Sequence, residues 1–146
     1  MGHNISALVM RGEFDRALAV EFELKPIPAE FDLTVFPLND EYCDSWAERL
    51  SIPGFVSDQP LLNCRVVHHI AMSIAPRAMF AIIETDYFGG LGAQSAAVYH
   101  DKQEIMPPTT ARSGPINNAL RLLGVSCTFG DEFDAIGLGK FRRWDD

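Results

Sequence analysis

A chain of 146 residues with 47% apolar and 22% charged side chains is long enough for one core and too evenly mixed for a disordered or fibrous class. Twenty acidic against twelve basic residues leave a formal charge of −8, which works against broad binding of nucleic acid or an anionic membrane surface and favours a basic partner. Cys43, Cys64 and Cys127 are odd in number and far apart, so neither a disulfide framework nor a structural zinc site is indicated, and a reducing cytoplasm suits them.

No apolar run approaches the ~18 residues of a membrane span, and the N-terminus lacks the basic and apolar regions of a secretory leader. Met1 to Ser6 fits the loose N-myristoylation pattern through Gly2 and Ser6, a match of a kind that usually arises by chance. Ile5 to Met10 is a short apolar run that predicts a buried strand. In the next segment Phe14, Leu18 and Phe22 recur at helical spacing while Val20 to Leu24 alternates like a strand, so the pattern leaves both readings open. Pro26 and Pro28 then stop regular structure, and residues 31–36 alternate like a strand that Pro37 confines to an edge or a terminus.

Asn39 offers an N-cap oxygen, with Asp40 and Glu41 beside the helix dipole and Tyr42, Trp46 and Leu50 on one face, which predicts a helix ending before Pro53. A longer helix, capped by Asp58 and stopped by Pro76, spans 59–75 and buries Val66, Val67, Ile70 and Ile74. Its opposite stripe of Leu61, Arg65, His68 and Met72 faces solvent or an interface.

Residues 78–100 alternate with period two on either side of a glycine cluster, a hairpin at the centre of the sheet with a bulged or wide loop through Gly89, Gly90 and Gly92. Met106 to Thr110 reads as a proline-held surface connector. Ser113, Gly114 and Pro115 open a helix over Ile116, Ala119, Leu120 and Leu123 that Gly124 closes. Val125 to Phe129 follows as an edge strand, and Asp131 to Ile136 as one helical turn. These elements predict a single α+β domain over 1–146, its mainly antiparallel sheet covered on one face by helices 59–75 and 115–123. Ile82 and Val98 join the helix residues named above in the core.

The motifs that carry chemistry are weak. Gly90, Gly92 and Ser95 approximate a dinucleotide loop, yet they precede a strand-like run where a helix N-terminus would have to cradle phosphate. Cys64 and His68 stand four residues apart on a helix, but the thiol lacks the helix N-terminus that activates such nucleophiles. His68, His69 and His100 with Glu84 and Asp86 are potential metal ligands without metal-site spacing, and adjacent helical histidines diverge by about 100°. No metal or cofactor is expected, and no residue is assigned a catalytic role. The binding cluster expected from the central loop is Asp86, Tyr87, Phe88, Gly89, Gly90 and Gly92, an aromatic pair beside a carboxylate. The function expected is that of a small acidic cytoplasmic binding protein of the inhibitor or immunity kind, blocking a basic protein partner as a monomer or homodimer. The alternative is a small hydrolase or ligand-binding enzyme that uses the Cys64 and His68 region with the glycine loop.

Overall fold

The computed structural model describes residues 2–3, 5–29, 31–51, 65–88, 91–100 and 103–125. Its centre is the hairpin of β5 (Met79–Phe88) and β6 (Leu91–His100), paired antiparallel from Met79 with His100 to Phe88 with Leu91. Only positions 89 and 90 separate the paired strand ends, which corrects the expected wide or bulged loop. Gly92, paired with Tyr87, has φ +136°, a conformation that glycine adopts without a Cβ clash.

The sheet grows outward from that hairpin. On one side stand β2 (Ser6–Arg11), β4 (Leu33–Leu38) and the two-residue β3 (Ile27–Pro28), and on the other β7 (Gln103–Ala111). The order is β3-β4-β2-β5-β6-β7, every pair antiparallel, in the α+β class expected. β1 (Gly2–His3) extends β2 along β5 in the same register, with Gly2 opposite Phe88 and Ser6 opposite Glu84. In the gap the Ile5 N–H donates to the buried Thr85 hydroxyl at 3.0 Å, and the Thr85 N–H returns a bond to the Ile5 carbonyl at 2.8 Å.

Successive side chains of a strand point to opposite faces, and β2, β5 and β6 are apolar on both. Ile5, Ala7, Val9, Ala81, Ile83, Ala96 and Val98 pack with Ile116, Ala119, Leu120 and Leu123 of α4 (Pro115–Leu122) and its cap. Leu8, Met10, Phe80, Ile82, Ala97 and Tyr99 pack beneath α1 (Arg16–Glu21), α2 (Asp40–Leu50) and α3 (Arg65–Ile74). The helices expected on one face are therefore divided between two, because a strand with apolar residues at every position needs cover on both sides. All nine expected core residues are buried.

α4 is held from the sheet. Its N-cap, Gly114, has no side chain to offer, and the buried Gln94 of β6 accepts from the Ile116 N–H at 2.8 Å instead. At the other end Val125 N–H bonds the Leu120 carbonyl and Gly124 N–H that of Arg121, the paired bonds of a Schellman motif with Gly124 at φ +96°.

Three further expectations change. The ambiguous segment becomes α1, stopped where Glu23 enters the left-handed region at φ 59°. The supposed connector at 106–110 is part of β7, where Pro107 and Pro108 lie on the sheet's outer edge beside two register shifts and so remove no needed donor from an interior strand. His68 is half-buried, its ring 4.2 Å from that of Tyr99 and 5.8 Å from that of Phe80, because the imidazole reaches down to the sheet from the flank of α3. The N-terminal part of the expected 59–75 helix, with Asp58, Leu61 and Cys64, lies outside the described residues, as do the strand and turn expected after Val125.

Candidate protein-docking face

Residues 13–50 contain ten of the twenty carboxylates but only three of the twelve basic side chains, while the rest of the chain is nearly balanced at ten against nine. Eight of those ten carboxylates, Glu13, Asp15, Glu21, Glu23, Asp40, Glu41, Asp44 and Glu48, belong to α1, α2 or the residues beside them. Asp15 caps α1 by accepting from the Leu18 N–H at 3.0 Å, and Asn39 caps α2 by accepting from the Tyr42 N–H at 2.7 Å, as its position predicts.

The two helices are joined through the end of α1. The Tyr42 hydroxyl donates to the Phe22 carbonyl at 2.7 Å, and the rings of Phe22 and Trp46 meet edge to face at 5.1 Å. Arg49 lies over Trp46 at 4.6 Å and pairs with Glu23. Burial, followed by the nearby Cys43 and Glu23, pushes the Tyr42 hydroxyl well above its ordinary pKa, so it remains a donor at any physiological pH.

Outward from this joint, Glu41, Asp44 and Glu48 recur at i, i+3 and i+7 and form one exposed stripe on α2. Glu13, Asp15, Glu21, Glu23 and Asp32 are exposed as well. Two large apolar side chains stand uncovered in the same segment, Val20 at 74% exposure and Phe31 at 43%. Carboxylates around exposed apolar groups supply the two parts of electrostatic association, a field that speeds encounter and anchors that hold the complex. Ile105 and Leu122 are also exposed, along a groove of about 500 Å³ between β7 and α4, but its rim carries Arg121 and no carboxylate.

The residues expected from the central loop are placed differently. Asp86 is exposed at the end of β5 opposite Ala93, and Tyr87 pairs with Gly92, which has φ +136°. Phe88 pairs with Leu91 through the backbone, while Gly89 and Gly90 lie outside the described residues. The run after Gly92 is strand, so the helix a dinucleotide loop requires is not there.

Glu84 shares its strand face with Asp86, as expected, and occupies a polar row across four strands with Ser6, Ser95 and Thr110. The Ser95 and Thr110 hydroxyls share a hydrogen bond at 2.7 Å. The histidines do not converge: His68 packs on Phe80 and Tyr99, His69 is exposed, and His100 contacts the Arg77 carbonyl at 3.2 Å. Among the described residues no group of three or more potential ligands is placed to hold a metal ion, and no helix is long and apolar enough to cross a membrane.

Val20 falls in the segment whose pattern leaves helix and strand open, and Phe31 at the start of the expected 31–36 strand, so both read as core; β4 begins only at Leu33, and residues 31 and 32 form the turn before it. The local signal for Phe31 is its place beside Asp32 just after the proline pair, where a turn exposes what it carries. Comparison of the chain with protein-family models, with curated proteins and with solved structures finds no match.

Proposed function

We propose that this chain is a cytoplasmic binding protein of the inhibitor or immunity kind, which blocks a basic protein partner through the face built by α1, α2 and the turn before β4. The observation that carries this reading is the partition of charge. Nearly the whole net charge belongs to residues 13–50, and every described carboxylate there is exposed. A field concentrated on one side orients an incoming cationic surface, whereas the same charge spread evenly only keeps a protein soluble.

The test uses the folded chain as bait beside a variant carrying Glu41→Gln, Asp44→Asn and Glu48→Gln. The reading expects a basic protein retained by the native chain and depleted from the variant, with an association rate that falls as salt is added. A partner held equally by both baits, or bound at a rate indifferent to salt, would remove the electrostatic basis of the reading.

A further inference from the structure

Between the start of α1 and the β3–β4 turn lies a cavity of about 380 Å³, whose lining includes Glu13, Phe14, Pro26, Pro28, Asp32 and Leu33. Its volume is near the lower end of the roughly 300–1,000 Å³ of small-molecule sites, room for one long side chain and the backbone that bears it. Two carboxylates belong to the lining, and among the described residues neither Glu13 nor Asp32 has a salt-bridge partner. Phe14, the two prolines and Leu33 make an apolar wall beside them. The chain's own Arg16 sits with its guanidinium 4.9 Å from the centre of the Phe14 ring, so this wall already accepts a planar cation.

The turn that contributes Asp32 is fixed. Phe31 and Asp32 both have positive φ, at 64° and 61°, the Ala29 N–H bonds the Leu33 carbonyl at 2.9 Å, and the Gly12 N–H bonds the Asp32 carbonyl at 3.0 Å. Left-handed backbone is unfavourable for a side-chain-bearing residue, and here it is held by hydrogen bonds that close the turn and tie it to Gly12.

We propose that this cavity receives an arginine side chain of the basic partner, its aliphatic stem against Phe14, Pro26, Pro28 and Leu33 and its guanidinium between Glu13 and Asp32. The assignment rests on the docking face described above and names one contact within it. Guanidinium suits the cavity better than ammonium because it is planar, stacks on aromatic faces and pairs with carboxylates through a fork of donors. Arg16 also lines the cavity, so its lining holds one cation against two carboxylates and keeps a net negative charge for the incoming side chain.

The probe is N-acetyl-arginine amide, titrated against the full chain while backbone amide shifts are followed, with the uncharged N-acetyl-citrulline amide as its isostere. Saturable shifts confined to Gly12, Ala29 and Thr34, which border the same cavity, are expected with the arginine compound and none with citrulline. Asp32→Asn should weaken binding at least fivefold without unfolding the turn, since asparagine tolerates positive φ, and Glu13→Gln should act in the same direction. Glu104→Gln, exposed on β7 and outside both the cavity and the docking face, should leave amide binding unchanged. Shifts that never saturate, that spread along α2, or that persist unchanged in Asp32→Asn overturn the assignment.

The docking face is judged separately. If the α2 triple variant slows association of a basic partner while Asp32→Asn alters neither partner nor amide binding, the cavity assignment falls and the face stands. Saturable amide binding with no basic protein recovered keeps the cavity as a guanidinium site, overturns the assignment to a protein partner and removes the face.

Discussion

Arg11 occupies the space into which a side chain at Gly124 would grow. A Cβ on Gly124 would stand 2.0 Å from the Arg11 Nη1, the atom that donates to the Leu123 carbonyl at 3.1 Å. One guanidinium thus closes the C-terminus of α4 from β2, and the glycine is needed twice, for its φ of +96° and for the room it leaves. Gly124→Ala should lower stability by about 2–3 kcal/mol, from left-handed strain of roughly 1–2 kcal/mol and from displacing a hydrogen bond to a charged donor. Gly114, at φ +108°, has nothing within 4 Å of the point where a methyl group would stand, so Gly114→Ala should incur the backbone cost alone. Urea unfolding of both variants checks this, and equal losses would mean that Arg11 moves aside freely.

At the other end of the helix, Gln94→Met keeps the length of the side chain and removes the acceptor. The Ile116 N–H is then left buried without its partner at 2.8 Å, a cost of about 1–3 kcal/mol. Chemical denaturation should show the loss, and hydrogen exchange should place it in the first turn of α4. A global loss with unchanged exchange at Ile116 would show that the glutamine acts through packing.

Alkaline pH provides an independent check on the core beneath α3. Burial, with a smaller contribution from Glu104, pushes the Tyr99 hydroxyl up to about 12 from its ordinary 10.0. The folded protein then holds a proton that the unfolded chain has released between these values, so stability is unaffected below pH 10 and falls as pH rises towards 12. The loss is on the order of 2–3 kcal/mol from Tyr99, and Tyr99→Phe should reduce the slope over this interval by that share, leaving the part owed to the likewise raised Tyr42. A tyrosinate absorbance titration complete near pH 10 in the folded state would contradict the burial of this hydroxyl.

What the sequence discloses here depends on whether the determinant is local. The Asn39 cap, the Gly124 terminus and the alternation on either side of the glycine cluster are visible because each acts within a few residues. The division of helices between two faces is not, since β5 is apolar at both parities and its pattern cannot tell which side α4 will take. Pro107 and Pro108 read as breakers because proline is excluded from interior strands, and only the topology shows that β7 is an edge. His68 lies off the buried arc of α3, yet an imidazole is long enough to reach Phe80 and Tyr99 from the helix flank. For the candidate face, the acidity of residues 13–50 is evident in the sequence, whereas the contact of Tyr42 with the Phe22 carbonyl, which joins α2 to the end of α1, is not.

Phe31 separates stability from binding. A bulky side chain at φ 64° is strained, and its 43% exposure means that little packing is recovered in exchange. Phe31→Gly should therefore leave the fold unchanged or more stable by up to about 1–2 kcal/mol, as removal of left-handed strain requires. If Phe31 anchors the partner, the same substitution should weaken the complex by about 2 kcal/mol or more, chiefly through faster dissociation. The α2 triple variant should do the converse and slow association. Measuring thermal stability alongside both rate constants tests the division of labour: a Phe31→Gly protein that is less stable, or that dissociates at the native rate, assigns this aromatic to the fold.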